Sequence, residues 1–408
     1  MSAAQEVAER VSSDLNPLVR EGFLNPYPMY QELRALGPVV WMQSLNAWGV
    51  FRDAEVRRVI TDWQSFGSKG GGGVSNFYFE KPWREPSVVF EVDPPDHTRT
   101  RTVLTRVLSP AALAKLKAGM EAEAARLVNS LLERKTFDAV ADFARPFPLK
   151  VLPDAVGLPE EGRHNLLTYN QFVRKGRALN WRQNWTEADE VEGERITNWV
   201  ADHCRREGLK ADGFGAQIYA AADAGEISDY EAAMLVRSFL TAGVEGTING
   251  ISHTINLLMA HPEQWAIVRD DPTKVRAAFE EMLRFDSGVQ IIARNTMGEM
   301  DFEGVRLGAF DKVIAFIGSA NRDPSRWANP DVYDVTRNTA GHVALGTGIH
   351  GCVGQMIARM EATAVLGALV RAVDEIRPAG APVYRTTGAR GLESLPVTIR
   401  GRQGSLAQ

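Results

Sequence analysis

Hydrophobic positions along this chain recur with two periods, and the helical one dominates. Residues 39–41 and 48–51 alternate as short strands around a turn containing Asn46, and residues 55–60 then resume helical spacing. From Pro110 to about Phe285 the pattern is helical, after which strand-like runs such as 313–317 alternate with turns. The expected fold is mainly α with a minor β portion. We expect one domain over 1–408, with a β-containing lobe over roughly 1–90 and a helical lobe over roughly 91–408.

One helix stands out. Ser228 and Glu231 have the spacing of a capping box, and helical periodicity then runs on until His261-Pro262 stops it. Such a helix is about 50 Å long, enough to cross a domain. Gly243, Gly246 and Gly250 lie in its centre, and each costs about 1 kcal/mol relative to Ala. Two uses would offset that loss. A flat ligand could lie where side chains are missing, with Glu245 beside it, or a second helix could cross closely. This segment alone leaves both open.

Hydrophobic residues make up 44% of the chain and charged residues 24%, ordinary for a globular protein, so disorder is not expected. The net charge of -5 argues against a sequence-independent nucleic-acid binder, which would present a basic face. The first thirty residues have no apolar stretch like that of a signal peptide, and no run of about eighteen apolar residues occurs anywhere. A cytoplasmic protein without a membrane span is expected. Gly70 to Gly73 lacks the Gly-Lys-Ser/Thr ending of a phosphate loop and reads as a flexible loop.

There are two cysteines in the chain, Cys204 and Cys352, which rules out a disulfide framework. Cys352 lies in Gly346-Thr-Gly-Ile-His-Gly-Cys-Val-Gly354, just before a helical stretch through Val373. Backbone N–H groups and the positive end of a helix dipole would lower its pKa, and the glycines let the backbone close around the sulfur. That setting suits an anionic metal ligand or a reactive nucleophile better than an inert core thiol. Cys204, in Asp-His-Cys-Arg-Arg, has no such setting.

At these residues the chain resembles the cytochrome P450 family, whose haem loop has the form Phe-x-x-Gly-x-x-x-Cys-x-Gly. Leu345, Gly348, Cys352 and Gly354 occupy its places. Further family marks follow one another in the right order: Glu281-Met-Leu-Arg284, Ala320-Asn-Arg-Asp-Pro324 and Tyr333-Asp-Val-Thr-Arg337. The resemblance implies haem b with Cys352 as axial iron ligand and the long helix over the opposite face. It implies that His97, Arg101, Arg294 and His350 meet the haem propionates, and that Leu345, Gly346 and Gly354 shape the thiolate loop. For His97 and Arg101 a solvated surface cluster is the alternative. Glu281, Arg284 and Arg337 match a buried ion cluster that supports the fold.

Two positions depart from the family. Its distal pattern is Ala-Gly-x-Asp/Glu-Thr, whereas Ala242-Gly-Val-Glu245 is followed here by Gly246, with a threonine only at Thr247. Thr247 points about 160° away from Glu245 around a regular helix, so it cannot simply replace the missing hydroxyl. Proton delivery by Glu245, Gly246 and Thr247 therefore needs a held water, a helix bulge or peroxide as oxidant. Leu345 replaces the aromatic residue beside the thiolate, which should alter packing there.

More narrowly, the chain is similar to bacterial members that oxidise para-substituted benzoates such as 4-methoxybenzoate. The stretches that carry this likeness include residues 80–87, 237–243, 319–324 and 390–396. The likeness implies that Arg84, Ser87, Ser238 and Thr241 surround a substrate carboxylate. It implies that Val89, Phe90, Ala242, Val289 and Ile292 line the aromatic ring. Ser238 and Thr241 could instead bond back to their own helix. Arg174 and Arg177 fall about where that group places pocket phenylalanines, which would make the pocket more cationic; a solvated basic loop is the alternative. The expected activity is hydroxylation or O-demethylation of an aromatic carboxylate with O2, driven by an iron–sulfur ferredoxin and its NAD(P)H-dependent reductase. A peroxide-driven oxygenase and a non-catalytic haem-binding sensor are the other two readings.

Overall fold

The computed structural model describes residues 11–402, apart from 83, 180, 387 and 388 and the side chain of Arg182. The first ten residues, which the reading of the N-terminus included, lie outside it. Helix accounts for 53% of the chain and strand for 12%, as the periodicity requires.

Asn46 adopts a left-handed φ of 47°, which turns the strand Val40–Met42 back onto Ala47–Val50. That hairpin is half of a larger sheet. Ala47–Val50 pairs in parallel with Lys312–Phe316, which pairs antiparallel with Ile291–Thr296, and Ser12–Ser13 and Phe66–Gly67 close the two edges. The sheet thus draws strands from both sides of residue 90. A second sheet joins Thr136–Asp138, Pro396–Gly401 and Val373–Pro378.

The four-glycine run is tied down rather than flexible. The Lys312 ammonium donates to the Gly70 and Gly71 carbonyls at 2.8 and 2.9 Å, and Gly72 accepts from the Ala293 amide at 3.1 Å. A Cβ at Gly70 would sit 2.0 Å from Asn295 Oδ1, so glycine is there for close packing against the sheet.

The central helix spans Asp229–Ala260, with the Ser228/Glu231 capping box formed and His261 ending it. Leu240, Val244, Ile248, Ile251 and Ile255 are buried in the main core, as are Ile357, Val365 and Leu369 of the helix Gln355–Ala372, which we call the cysteine helix. These two helices and Val275–Phe285 pack on one another. The last of them carries Glu281 and Arg284, both fully buried and paired at 2.7 Å, with Arg337 donating to Glu281 at 3.2 Å. Arg284 also donates to the carbonyls of Asn321 and Pro330, so its charge is fully partnered and locks the segment before the cysteine loop onto the helix.

Candidate functional site

The cysteine loop is shaped by two glycines in the left-handed region, Gly346 at φ 67° and Gly348 at φ 68°, where a side chain would be strained. The loop closes when the Cys352 amide donates to the Leu345 carbonyl at 2.7 Å. Leu345 thus serves through its backbone, and its side chain packs on the main core. Cys352 itself precedes the cysteine helix, whose N-cap is Gly354. Burial pushes the thiol above its ordinary value, against the pull of the Gly354 N–H, Arg101 and Arg359. This corrects the expectation of a net-lowered pKa. The helix terminus and cations act in the expected direction, and desolvation outweighs them. Cys204 is fully buried, with its thiol raised to about 12 by burial, and stays inert.

Around this loop the structure gathers the four basic residues expected to meet propionates. The His97 and His350 rings lie 4.2 Å apart, which excludes the surface-cluster alternative for His97. His350 contacts the Ser68 hydroxyl at 3.0 Å and is held down to about 3 by burial and by Arg294, His97 and Arg101. Arg294 is buried and lowered to about 10 by that burial, with Asp93 as the opposing charge. Arg101 is also lowered by burial, and Cys352 lies within its electrostatic reach. Buried His97 Nε2 has no hydrogen-bond partner among the described residues. Two arginines disfavoured by burial, two histidines held down by burial and by those arginines, and an orphaned ring nitrogen form a site built for bound anionic groups, and the two carboxylates of a haem fit it.

The central helix resolves the two uses of its glycines, one by one. A Cβ at Gly243 would lie 2.3 Å from Leu152 Cδ2, and one at Gly250 would lie 2.7 Å from Phe279 Cε2, so both serve close packing. A Cβ at Gly246 would meet nothing within 4 Å. Gly246 and Ala242, one turn apart, are exposed in a helix that is otherwise largely buried, and they make the face a flat group can approach.

Thr247 turns the other way. It is buried, donates to the Gly243 carbonyl at 2.9 Å and hydrogen-bonds Glu361 of the cysteine helix, so it does not replace the missing distal hydroxyl. Glu245 accepts from Arg174 and, at 2.7 Å, from Arg385, which also donates to Asn249 at 3.0 Å. Arg174 is therefore spent on Glu245 and is not part of a solvated loop.

The residues expected around a carboxylate are already committed. Arg84 pairs with Glu91 at 2.9 Å, the Ser87 amide donates to the same Glu91, and the Ser87 hydroxyl accepts from the Val89 and Phe90 amides. Glu91 is buried, and Arg84 and the Ser87 amide hold it below the usual carboxylate range despite that burial. Ser238 donates to the Met234 carbonyl at 2.9 Å and Thr241 to that of Arg237 at 2.8 Å, which is the back-bonded alternative. Val89 is part of the main core, whereas Phe90 and Val289 are about half exposed and free to line a pocket. Ile292 lies beside the cysteine loop, 3.9 Å from where a Gly346 Cβ would be.

Sequence reasoning missed Glu91, Arg385 and Glu361. Arg385 and Glu361 are single charged residues far in sequence from Glu245 and Thr247, without a spacing to reveal them. Only the proximity of Glu91 to Ser87 offered a signal.

A family model described as cytochrome P450 matches residues 203–374. Over 390 residues the chain is 46% identical to the cytochrome P450 CYP199A2 of Rhodopseudomonas palustris, covering 94% of this chain and 93% of that protein. It is 32% identical to cytochrome P450 107B1 of Saccharopolyspora erythraea, covering 87% of this chain and 90% of that one. Among solved structures, cytochrome P450 CREJ in complex with (4-ethylphenyl) dihydrogen phosphate superposes with a TM-score of 0.83 at 25% identity, covering 94% and 99% of the two chains.

Proposed function

The chain belongs to the cytochrome P450 family, a family of monooxygenases whose haem b is held through a cysteine thiolate, and from that premise we propose that it oxidises an aromatic carboxylate. The observation that carries this reading is the basic cluster of His97, Arg101, Arg294 and His350 beside Cys352, together with a central helix left open at Ala242 and Gly246. Cys352 is the thiolate, and the four basic residues hold the propionates. Haem bound there supplies activation of O2 with two electrons, one oxygen atom going to substrate and the other leaving as water.

The chain's own residues bind and orient. Phe90, Val289 and Ile292 offer apolar surface to a ring, and Ala242 leaves room above it. The end that holds Arg84 and Ser87, beyond Ser238 and Thr241, takes the acidic group of the substrate. Glu245, braced by Arg174 and Arg385, is the proton-handling acid at Gly246. For a 4-methoxybenzoate, hydroxylation of the methyl carbon gives a hemiacetal that breaks its C–O bond to release formaldehyde and 4-hydroxybenzoate. Electrons come from an iron–sulfur ferredoxin and its NAD(P)H-dependent reductase, and the setting is the cytoplasm. Among the described residues no helix is long and apolar enough to cross a membrane.

The test is turnover of 4-methoxybenzoate by the holoprotein with a ferredoxin, its reductase and NADH. The expected products are formaldehyde and 4-hydroxybenzoate in equal amounts. No product from any of a panel of para-substituted benzoates would end the reading.

One observation favours a second oxidant. Gly246 brings no hydroxyl and Thr247 points to Glu361, so a reagent that carries its own protons suits the site. Hydrogen peroxide transfers one oxygen to substrate and leaves as water, with no outside electrons.

A further inference from the structure

We propose that Arg177 is the specificity-determining anchor for the acidic group of the substrate. This rests on the aromatic-acid reading and deepens it.

Arg177 ends the helix Asn165–Arg177, one turn beyond Arg174, which reaches Glu245. Its side chain is exposed, although protein surrounds it on every side and its own charge is disfavoured chiefly by that burial. A side chain that is both accessible and closely surrounded by protein lines a cleft. Arg84, Glu91, Glu245 and Tyr169 all lie within its electrostatic reach, so the cleft adjoins the Arg84 segment and Glu245 of the central helix.

The other charged groups there are paired, and the hydroxyls expected to bind an acid already make hydrogen bonds. Arg84 holds Glu91, Arg174 and Arg385 share Glu245, the Ser87 hydroxyl accepts from two backbone amides, and Ser238 and Thr241 donate to their own helix. Arg177 makes no hydrogen bond or ion pair among the described residues. A guanidinium carries five donors in a planar fork that matches a carboxylate, and a ligand that shields it from water without pairing it makes that charge costly. A carboxylate ligand pairs with it as it shields it, whereas a neutral ligand of the same shape does not. The substrate class that follows is an aromatic monocarboxylate whose acid is bound by Arg177, with Arg84 set back as the partner of Glu91.

The experiment titrates the holoprotein with matched acids and amides and reads the low-spin to high-spin change of the haem spectrum. The probes are 4-methoxybenzoate against 4-methoxybenzamide, and octanoate against octanamide. The native protein should prefer an acid over its amide by about ten-fold or more, since a charged hydrogen bond contributes roughly 1.5–3 kcal/mol. Arg177→Gln should erase that preference while amide binding persists, which reports an intact pocket. Arg177→Lys keeps the charge without the fork and should retain part of the preference. It also serves if the Gln variant does not hold haem. An acid preference left unchanged in both variants, or no preference in the native protein, overturns the proposal. If octanoate but no aromatic acid shows the Arg177-dependent preference, the aromatic reading falls and the anchor stands.

Discussion

Glu361 of the cysteine helix shares a hydrogen bond with Thr247 of the central helix, in the fully buried seam between them. Thr247 also donates to the Gly243 carbonyl, and Glu361 Oε1 has no hydrogen-bond partner among the described residues, so little in the seam holds a carboxylate charge. Burial agrees, raising this carboxyl from 4.5 to about 8. A raised carboxyl pKa means that its contribution to stability is complete below about pH 4.5 and is lost as pH rises through 8, at roughly 1.4 kcal/mol per pH unit within that window. Glu361→Gln keeps the donor and cannot ionise. Thermal unfolding of native and variant holoprotein should therefore coincide at pH 5, with the variant higher by several degrees at pH 9. Parallel curves across that range would refute a protonated Glu361.

The glycines of the central helix should respond oppositely to one substitution. Gly246→Ala enters open space and gains helix propensity, which stabilises by up to about 1 kcal/mol. Gly250→Ala drives a methyl to within 2.7 Å of the Phe279 ring, and the overpacking should cost about 1–3 kcal/mol, more than the propensity gain. Denaturant midpoints of the two variants should fall on either side of the native value. Equal shifts would mean that the helix does not pack as described.

This contrast also marks what the sequence could reveal. The capping box, the end at His261-Pro262 and the Asn46 turn are local and were legible, because neighbours along the chain decide them. The motif spacing likewise located Cys352, and the family resemblance implied the four basic residues found around it. Three identical glycines carried no sign of which faced Leu152, Phe279 or the open cleft. Nor could Ser238 and Thr241 disclose that their hydroxyls bond backwards, since a helix offers that carbonyl wherever such a residue occurs. The Cys352 thiol was misjudged for a related reason. Dipole and glycines are written in the sequence, while desolvation depends on what the rest of the fold places overhead.

Arg385 donates to both Glu245 and Asn249, holding them together on adjacent turns of the central helix. Arg385→Met keeps the stem and removes the fork, leaving Glu245 with Arg174 alone. Loss of one charged hydrogen bond to a partly buried carboxylate should destabilise the protein by about 1–3 kcal/mol. If Glu245 handles protons as proposed, the same variant should waste more reducing equivalents, read as a lower ratio of product formed to NADH consumed. An unchanged ratio with lowered stability would reduce Arg385 to a fold element.

Gly246→Thr tests which oxidant the site is built for. The Cβ position is open, so the threonine should be accommodated without loss of stability. Its hydroxyl would stand beside Glu245 on the face shared with Ala242, which Thr247 cannot reach while bonded to Gly243 and Glu361. A hydroxyl there can pass protons when they are not supplied by the reagent itself. We expect the native protein to turn over with hydrogen peroxide, and the variant to lose about ten-fold of that rate while product per NADH rises in the ferredoxin system; ten-fold corresponds to about 1.4 kcal/mol in the barrier. Both rates should be measured on the same aromatic acid. A native protein inert to peroxide, with well-coupled NADH turnover, would instead show that a bound water already does what the threonine was meant to restore.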